Sequence, residues 1–124
     1  MDIEAVSIGM PCSILRLFWL VEDQVVFSSP SGIETWDVNS SKQLRTVAWG
    51  TLFAISPDGR LAVTSEGKNG FTIREFNSGE RLASLKTETV YILNVAFNPD
   101  GSLLASLSDY GSVTIWDMSE FYSH

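Results

Sequence analysis

Ile55-Ser56-Pro57-Asp58-Gly59 and Phe97-Asn98-Pro99-Asp100-Gly101 are one turn written twice, 42 positions apart (97 minus 55). An apolar residue ends the strand before each. Proline then presets φ at the second turn position, aspartate can cap nearby backbone amides, and glycine closes the turn. After each turn comes an apolar run, Arg60 to Ser65 or Leu103 to Ser108. A second turn follows, Gly67-Lys68-Asn69-Gly70 or Asp109-Tyr110-Gly111-Ser112, and then a further strand, Phe71 to Phe76 or Val113 to Met118.

Working outward, the same order recurs. Leu52 to Ile55 and Ile92 to Phe97 precede the two repeated turns, and Arg81 to Lys86 follows Asn77-Ser78-Gly79-Glu80. A more degraded copy lies upstream: Ile14 to Leu20, Gln24 to Ser28, Ile33 to Val38 and Gln43 to Ala48, with Glu22-Asp23 in place of the Pro-Asp-Gly turn. Ile3 to Ile8 alternates weakly ahead of it. No stretch keeps a 3.6-residue period over three turns, whereas short β-branched and aromatic runs between Gly, Pro, Asn, Asp and Ser clusters mark antiparallel strands. Strands therefore come in groups of one, four, four and three. A repeat of about 40 residues with this content is one propeller blade. The expected fold is all-β, with three four-stranded antiparallel blades at 14–48, 51–86 and 92–118. The last lacks its own outer strand, and 1–8 is a strand that completes a partner blade.

Composition narrows the function classes. The chain has 124 residues, 44% hydrophobic and 19% charged, which fits a folded domain. Its net charge is −7, from 15 acidic and 8 basic residues, and the cations are scattered from Arg16 to Lys86. Phosphate backbones and anionic lipid surfaces repel such a chain on average, so neither nucleic acid nor membrane is an expected partner. The run from Ile14 to Phe27 is interrupted by Arg16, Glu22 and Asp23 and is too short to span a bilayer. Cys12 is the one cysteine and cannot form an internal disulfide. Together with a start, Met1-Asp2-Ile3-Glu4, unlike a secretory leader, this gives a cytoplasmic expectation.

Ser102 to Met118 (SLLASLSDYGSVTIWDM) resembles the WD-repeat β-propeller family, supported by Ser56 to Leu61, Asn98 to Leu103 and the pairs Trp36-Asp37 and Trp116-Asp117. The resemblance runs from about residue 3 to residue 118. In that family a histidine, an aspartate, a serine or threonine and the tryptophan share hydrogen bonds. Here the Gly-His pair that opens each repeat has no match, and the one histidine is His124. The resemblance implies at most a partial version, from Asp109, Trp116 and Ser106 or Ser108. Arg74-Glu75 stands where Trp-Asp would fall in the second repeat, so packing is expected to carry more of the stability there.

The family also implies a closure rule, in which the first strand of the chain completes the last blade. Three blades cannot close a ring, and open apolar faces and strand edges are association templates. Two chains would give six blades, within the usual range, while a three-chain ring of nine exceeds it. The expected assembly is a two-fold homodimer whose seam pairs Ile3, Ala5, Val6 and Ile8 of one chain with Val113, Ile115 and Trp116 of the other. The competing reading is a fragment of a longer propeller, or a chain that pairs with a different propeller.

The sequence offers little reaction chemistry. A triad needs a histidine within reach of a serine, and His124 is terminal. One Cys and one His do not make a zinc site. Glu22-Asp23 reads as a solvated turn, and Gly67-Lys68-Asn69-Gly70 lacks the ending of a phosphate loop. No catalytic residue, metal or cofactor is expected. What remains is recognition of a protein or peptide. The family's loop face would carry Met10, Pro11, Pro30, Trp49, Lys68, Asn69, Glu88 and Tyr110, of which Trp49, Tyr110, Lys68, Asn69 and Glu88 are the binding candidates. Trp49, in the Ala48-Trp49-Gly50-Thr51 connection, either anchors a partner or packs on its neighbouring blade. Trp19, Trp36 and Trp116 read as structural. The second function class is a small-ligand or carbohydrate-binding propeller, with loop aromatics stacking on the ligand.

Overall fold

A computed structural model of the chain describes residues 16–20, 23–29, 32–65, 70–86, 91–109 and 111–121. Eleven strands appear there: β1 (Arg16–Trp19), β2 (Gln24–Ser29), β3 (Gly32–Asp37), β4 (Lys42–Val47), β5 (Leu52–Ile55), β6 (Leu61–Ser65), β7 (Gly70–Glu75), β8 (Arg81–Lys86), β9 (Ile92–Phe97), β10 (Leu103–Ser108) and β11 (Val113–Asp117). A single 3₁₀ turn, Ser119–Phe121, follows. They form three antiparallel sheets in the orders β1-β2-β3-β4, β5-β6-β7-β8 and β9-β10-β11. Among the described residues β11 has no neighbour on its outer edge. The segment Ile3 to Ile8, expected to supply a strand, lies outside the described residues.

The repeated turn is the same object at both places. Gly59 N donates to the Ser56 carbonyl at 2.9 Å and Gly101 N to the Asn98 carbonyl at 3.0 Å. Both glycines sit at left-handed φ, 76° and 78°, which a side chain resists. Asp58 Oδ1 accepts from Ser56 Oγ and Arg60 N, and Asp100 Oδ1 from Ser102 Oγ and N. One expected turn residue is placed differently: Gly70 is buried as the first residue of β7, in register with Lys86 of β8.

The sheets stack face to face, giving two cores. Between sheets 1 and 2 lie Val26, Ile33, Leu52, Ala62 and Phe76. Between sheets 2 and 3 lie Ala54, Leu61, Val63, Phe71, Ile73, Val95, Leu104 and Met118, with Trp116 against them. Sheet 2 is covered on both sides, so Leu61 to Thr64 are all buried and β6 reads as an unbroken apolar run rather than an alternating one.

Candidate functional site

The position that holds the tryptophan of each third strand is filled in three ways. In sheet 3, Trp116 Nε1 donates to Ser106 Oγ at 3.0 Å, and its ring stands edge-on to Phe71 of sheet 2, with centroids 5.5 Å apart. This is the expected Trp–Ser pair, made with Ser106 rather than Ser108, whose Oγ accepts from Ser112 N. In sheet 2, Arg74 and Thr64 stand 42 residues before Trp116 and Ser106. Arg74 Nε donates to Thr64 Oγ1 at 3.4 Å, so a guanidinium takes over the indole's hydrogen bond. In sheet 1 the register Val25↔Trp36 puts Phe27 where the hydroxyl would be. Phe27 and Trp36 then touch ring to ring at 6.4 Å, and Trp36 Nε1 turns to Glu34 Oε1 at 3.3 Å.

Trp49 packs rather than projects. Its ring is edge-on to Phe76 at 5.7 Å. The guanidinium carbons of Arg45, from sheet 1, and Arg74, from sheet 2, lie 5.1 and 5.5 Å from its centroid. Arg45 Nη1 also donates to the Phe76 carbonyl and Arg74 Nη1 to that of Gly79. Trp49 is thus a wedge in the joint between two sheets, pinned by two cation–π contacts. Of the other loop candidates, Lys68, Asn69, Glu88 and Tyr110 lie outside the described residues. Tyr91 stands 42 residues after Trp49 in the next connection and, unlike Trp49, is half exposed (49%). The same offset that exposes the repeated turn finds it.

Among the described residues, the four most exposed large apolar side chains, Leu17, Trp19, Val113 and Ile115, lie at the two ends of the stack. On sheet 1, the face turned away from sheet 2 presents Leu17 (64% exposed) and Trp19 (70%), which flank the buried Val25 and Phe27 and the half-buried Trp36. On sheet 3, the face turned away from sheet 2 presents Leu103, Leu107, Val113 (62%) and Ile115 (60%). A hollow of about 220 Å³ sits on that second face between Asn94, Ala96, Ala105, Leu107 and Val113. Of the residues expected to pair at the seam, Val113, Ile115 and Trp116 all lie on β11, whose outer edge is unpaired among the described residues; Val113 and Ile115 turn their side chains to this face and Trp116 turns its own to sheet 2. Ile3, Ala5, Val6 and Ile8 lie outside the described residues.

No group of three or more His, Cys, Asp or Glu side chains able to hold a metal occurs among the described residues. No helix there is long and apolar enough to cross a membrane. Among the described residues two carboxylates are tuned, one in a turn and one at the end of β11. Ser102 Oγ and N donate to Asp100 and hold its carboxyl below the usual aspartate value, and Ser119 does the same for Asp117. Both are solvated, so they read as turn fasteners rather than acid–base groups.

Against known proteins, the pattern described as "WD domain, G-beta repeat" matches residues 79–117. The chain is 31% identical over 110 residues to the Protein LST8 homolog of Drosophila melanogaster, covering 79% of this chain and 35% of that one. Its fold is similar to the crystal structure of the C-terminal WD40 domain of Sif2 (TM-score 0.64, 19% identity, 89% of this chain and 35% of the other). It is also similar to the structure of U3-55K (TM-score 0.72, 22% identity, 90% and 38%) and to the RRP9 WD40 repeats (TM-score 0.72, 22% identity, 90% and 37%). The chain spans little more than a third of the length of each of these four proteins.

Proposed function

This is a WD-repeat chain, and from that premise we propose that it is a non-enzymatic protein–protein interaction module whose working unit is a closed β-propeller. The three sheets are three blades of that ring. The observation that carries the reading is the pair of open end faces: Leu17 and Trp19 at one end, Val113 and Ile115 at the other, all at least 60% exposed. Apolar faces of this kind are covered in a working protein, and a covered propeller face is covered by another blade. Two copies supply six blades, and the closed ring then offers its loop side to a protein or peptide, the side to which the family resemblance assigns Lys68, Asn69, Glu88 and Tyr110 and to which we add Tyr91. Trp49 belongs to the joint between blades and not to that binding side.

A second reading rests on length. The chain covers 35% of the LST8 homolog, so the remaining blades could belong to the same polypeptide. Sedimentation velocity over a dilution series separates the two. A two-chain mass that persists into the low micromolar range is the expected result, and a single-chain mass at every concentration refutes closure by a second copy. For the loop side, Tyr91→Ala and Tyr110→Ala should abolish partner capture with the fold intact, and unchanged capture would refute that assignment.

A further inference from the structure

The repeat itself specifies what the open faces fit. The 42-residue offset carries Leu61, Val63, Phe71 and Ile73, the face of sheet 2 buried against sheet 3, onto Leu103, Ala105, Val113 and Ile115, the open face of sheet 3. Strand register likewise carries Val95, Phe97, Leu104 and Trp116, the face of sheet 3 buried against sheet 2, onto Leu17, Trp19, Val25 and Trp36 of sheet 1. One open face is therefore a copy of a buried donor face and the other a copy of its buried acceptor. Both are apolar at most corresponding positions. Resting on the ring-closing reading above, we infer that the sheet 1 face of one chain seats on the sheet 3 face of a second copy, head to tail. The register is that of the internal sheet 2–sheet 3 seam, with Trp36 standing over Val113 as Trp116 stands over Phe71.

The register explains which residues sit at the surface. At the internal seam the indole meets a phenyl ring edge-on at 5.5 Å. At the seam between chains the phenyl position holds Val113, 62% exposed and smaller than the ring it replaces. The seam between chains is thus a lightened version of the internal one, suited to two parts that form separately and then meet. A two-fold ring contains this contact twice, so each substitution acts at both seams.

Val113 is on the surface of the single chain, so its substitution leaves the fold alone, which the near-ultraviolet signal of Trp116 checks. Val113→Phe restores the edge-on ring pair and should tighten the dimer by about fivefold at each seam, about 25-fold together. Val113→Asp buries a carboxylate against Trp36 and should weaken it by at least about a hundredfold. Sedimentation equilibrium reads both. A two-chain wild type whose dissociation constant ignores both substitutions overturns the register while leaving closure standing. A wild type that is a single chain at every concentration overturns closure, and this inference with it.

Discussion

Ser106→Ala and Trp116→Phe, made singly and together, measure what one hydrogen bond at the sheet 2–sheet 3 seam is worth. The indole N–H of Trp116 meets Ser106 Oγ at 3.0 Å, and Ser106 is 3% exposed. Trp116→Phe leaves that hydroxyl away from water and costs about 1–3 kcal/mol for the lost partner. It also trims the ring edge that meets Phe71, about 1 kcal/mol more of buried apolar surface. Ser106→Ala removes only the acceptor. Trp116 is half-buried, its N–H can turn toward water, and the cost is about 0.5–1.5 kcal/mol. In the double variant neither polar partner is stranded, so its cost should fall below the sum of the singles by about 1–2 kcal/mol. Urea unfolding with a shared m-value, at one fixed protein concentration, reads all four chains. Additivity within about 0.3 kcal/mol would show that the bond contributes nothing to the fold and refute the argument.

Arg74→Met keeps the stem against Trp49 but removes the donors to Thr64 and Gly79. It should destabilise the chain by about 1–2 kcal/mol, and an unchanged unfolding midpoint would deny the guanidinium its role as indole substitute. Gly79 and Gly111 have nearly the same left-handed φ, 79° and 80°, but a Cβ on Gly79 would lie 3.1 Å from the Trp49 ring whereas one on Gly111 meets nothing within 4 Å. Gly111→Ala should cost about 1 kcal/mol for the backbone alone, and Gly79→Ala clearly more, the difference reporting how firmly Trp49 is wedged. Equal costs in thermal unfolding would mean that the ring simply moves aside. Asp100 is held below its usual pKa of 3.8 by Ser102, so the folded chain binds that proton less readily than the unfolded one. Its stabilisation is present above about pH 4 and is lost as pH falls through the lowered value. Ser102→Ala should flatten the acid limb of a stability–pH curve, and an unchanged limb would place acid sensitivity elsewhere.

The strands and the two Pro-Asp-Gly turns were legible because their signals are local: turn chemistry, alternation and a period the eye can check. Ser106 as the partner of Trp116 was legible as one of two serines, and register decided between them. Arg74 was read as a lost site because it is not tryptophan, yet Thr64 remained at the Ser106 position to receive a different donor. Side-chain identity at one place does not announce which partner survives across the strand. Trp49 was open between anchor and packing, since nothing in the linker says that Arg45 and Arg74 converge on it from two sheets. Tyr91 was not among the loop candidates because loops were read one at a time instead of through the offset that the turns had already revealed.

The two cores differ in how they are fastened. Between sheets 2 and 3 the larger apolar cluster is locked by Trp116 and Phe71. Between sheets 1 and 2 the smaller one is fastened by Arg45, which reaches across to the Phe76 carbonyl, and by Trp49, whose ring is held between Arg45 and Arg74. A stack in which each layer touches only its neighbours parts first at its softest joint. The amides of the first sheet should therefore exchange with deuterium ahead of those in the other two. Within one chain the first sheet is then the leaf that swings, like a gate hung on Arg45 and latched by Trp49.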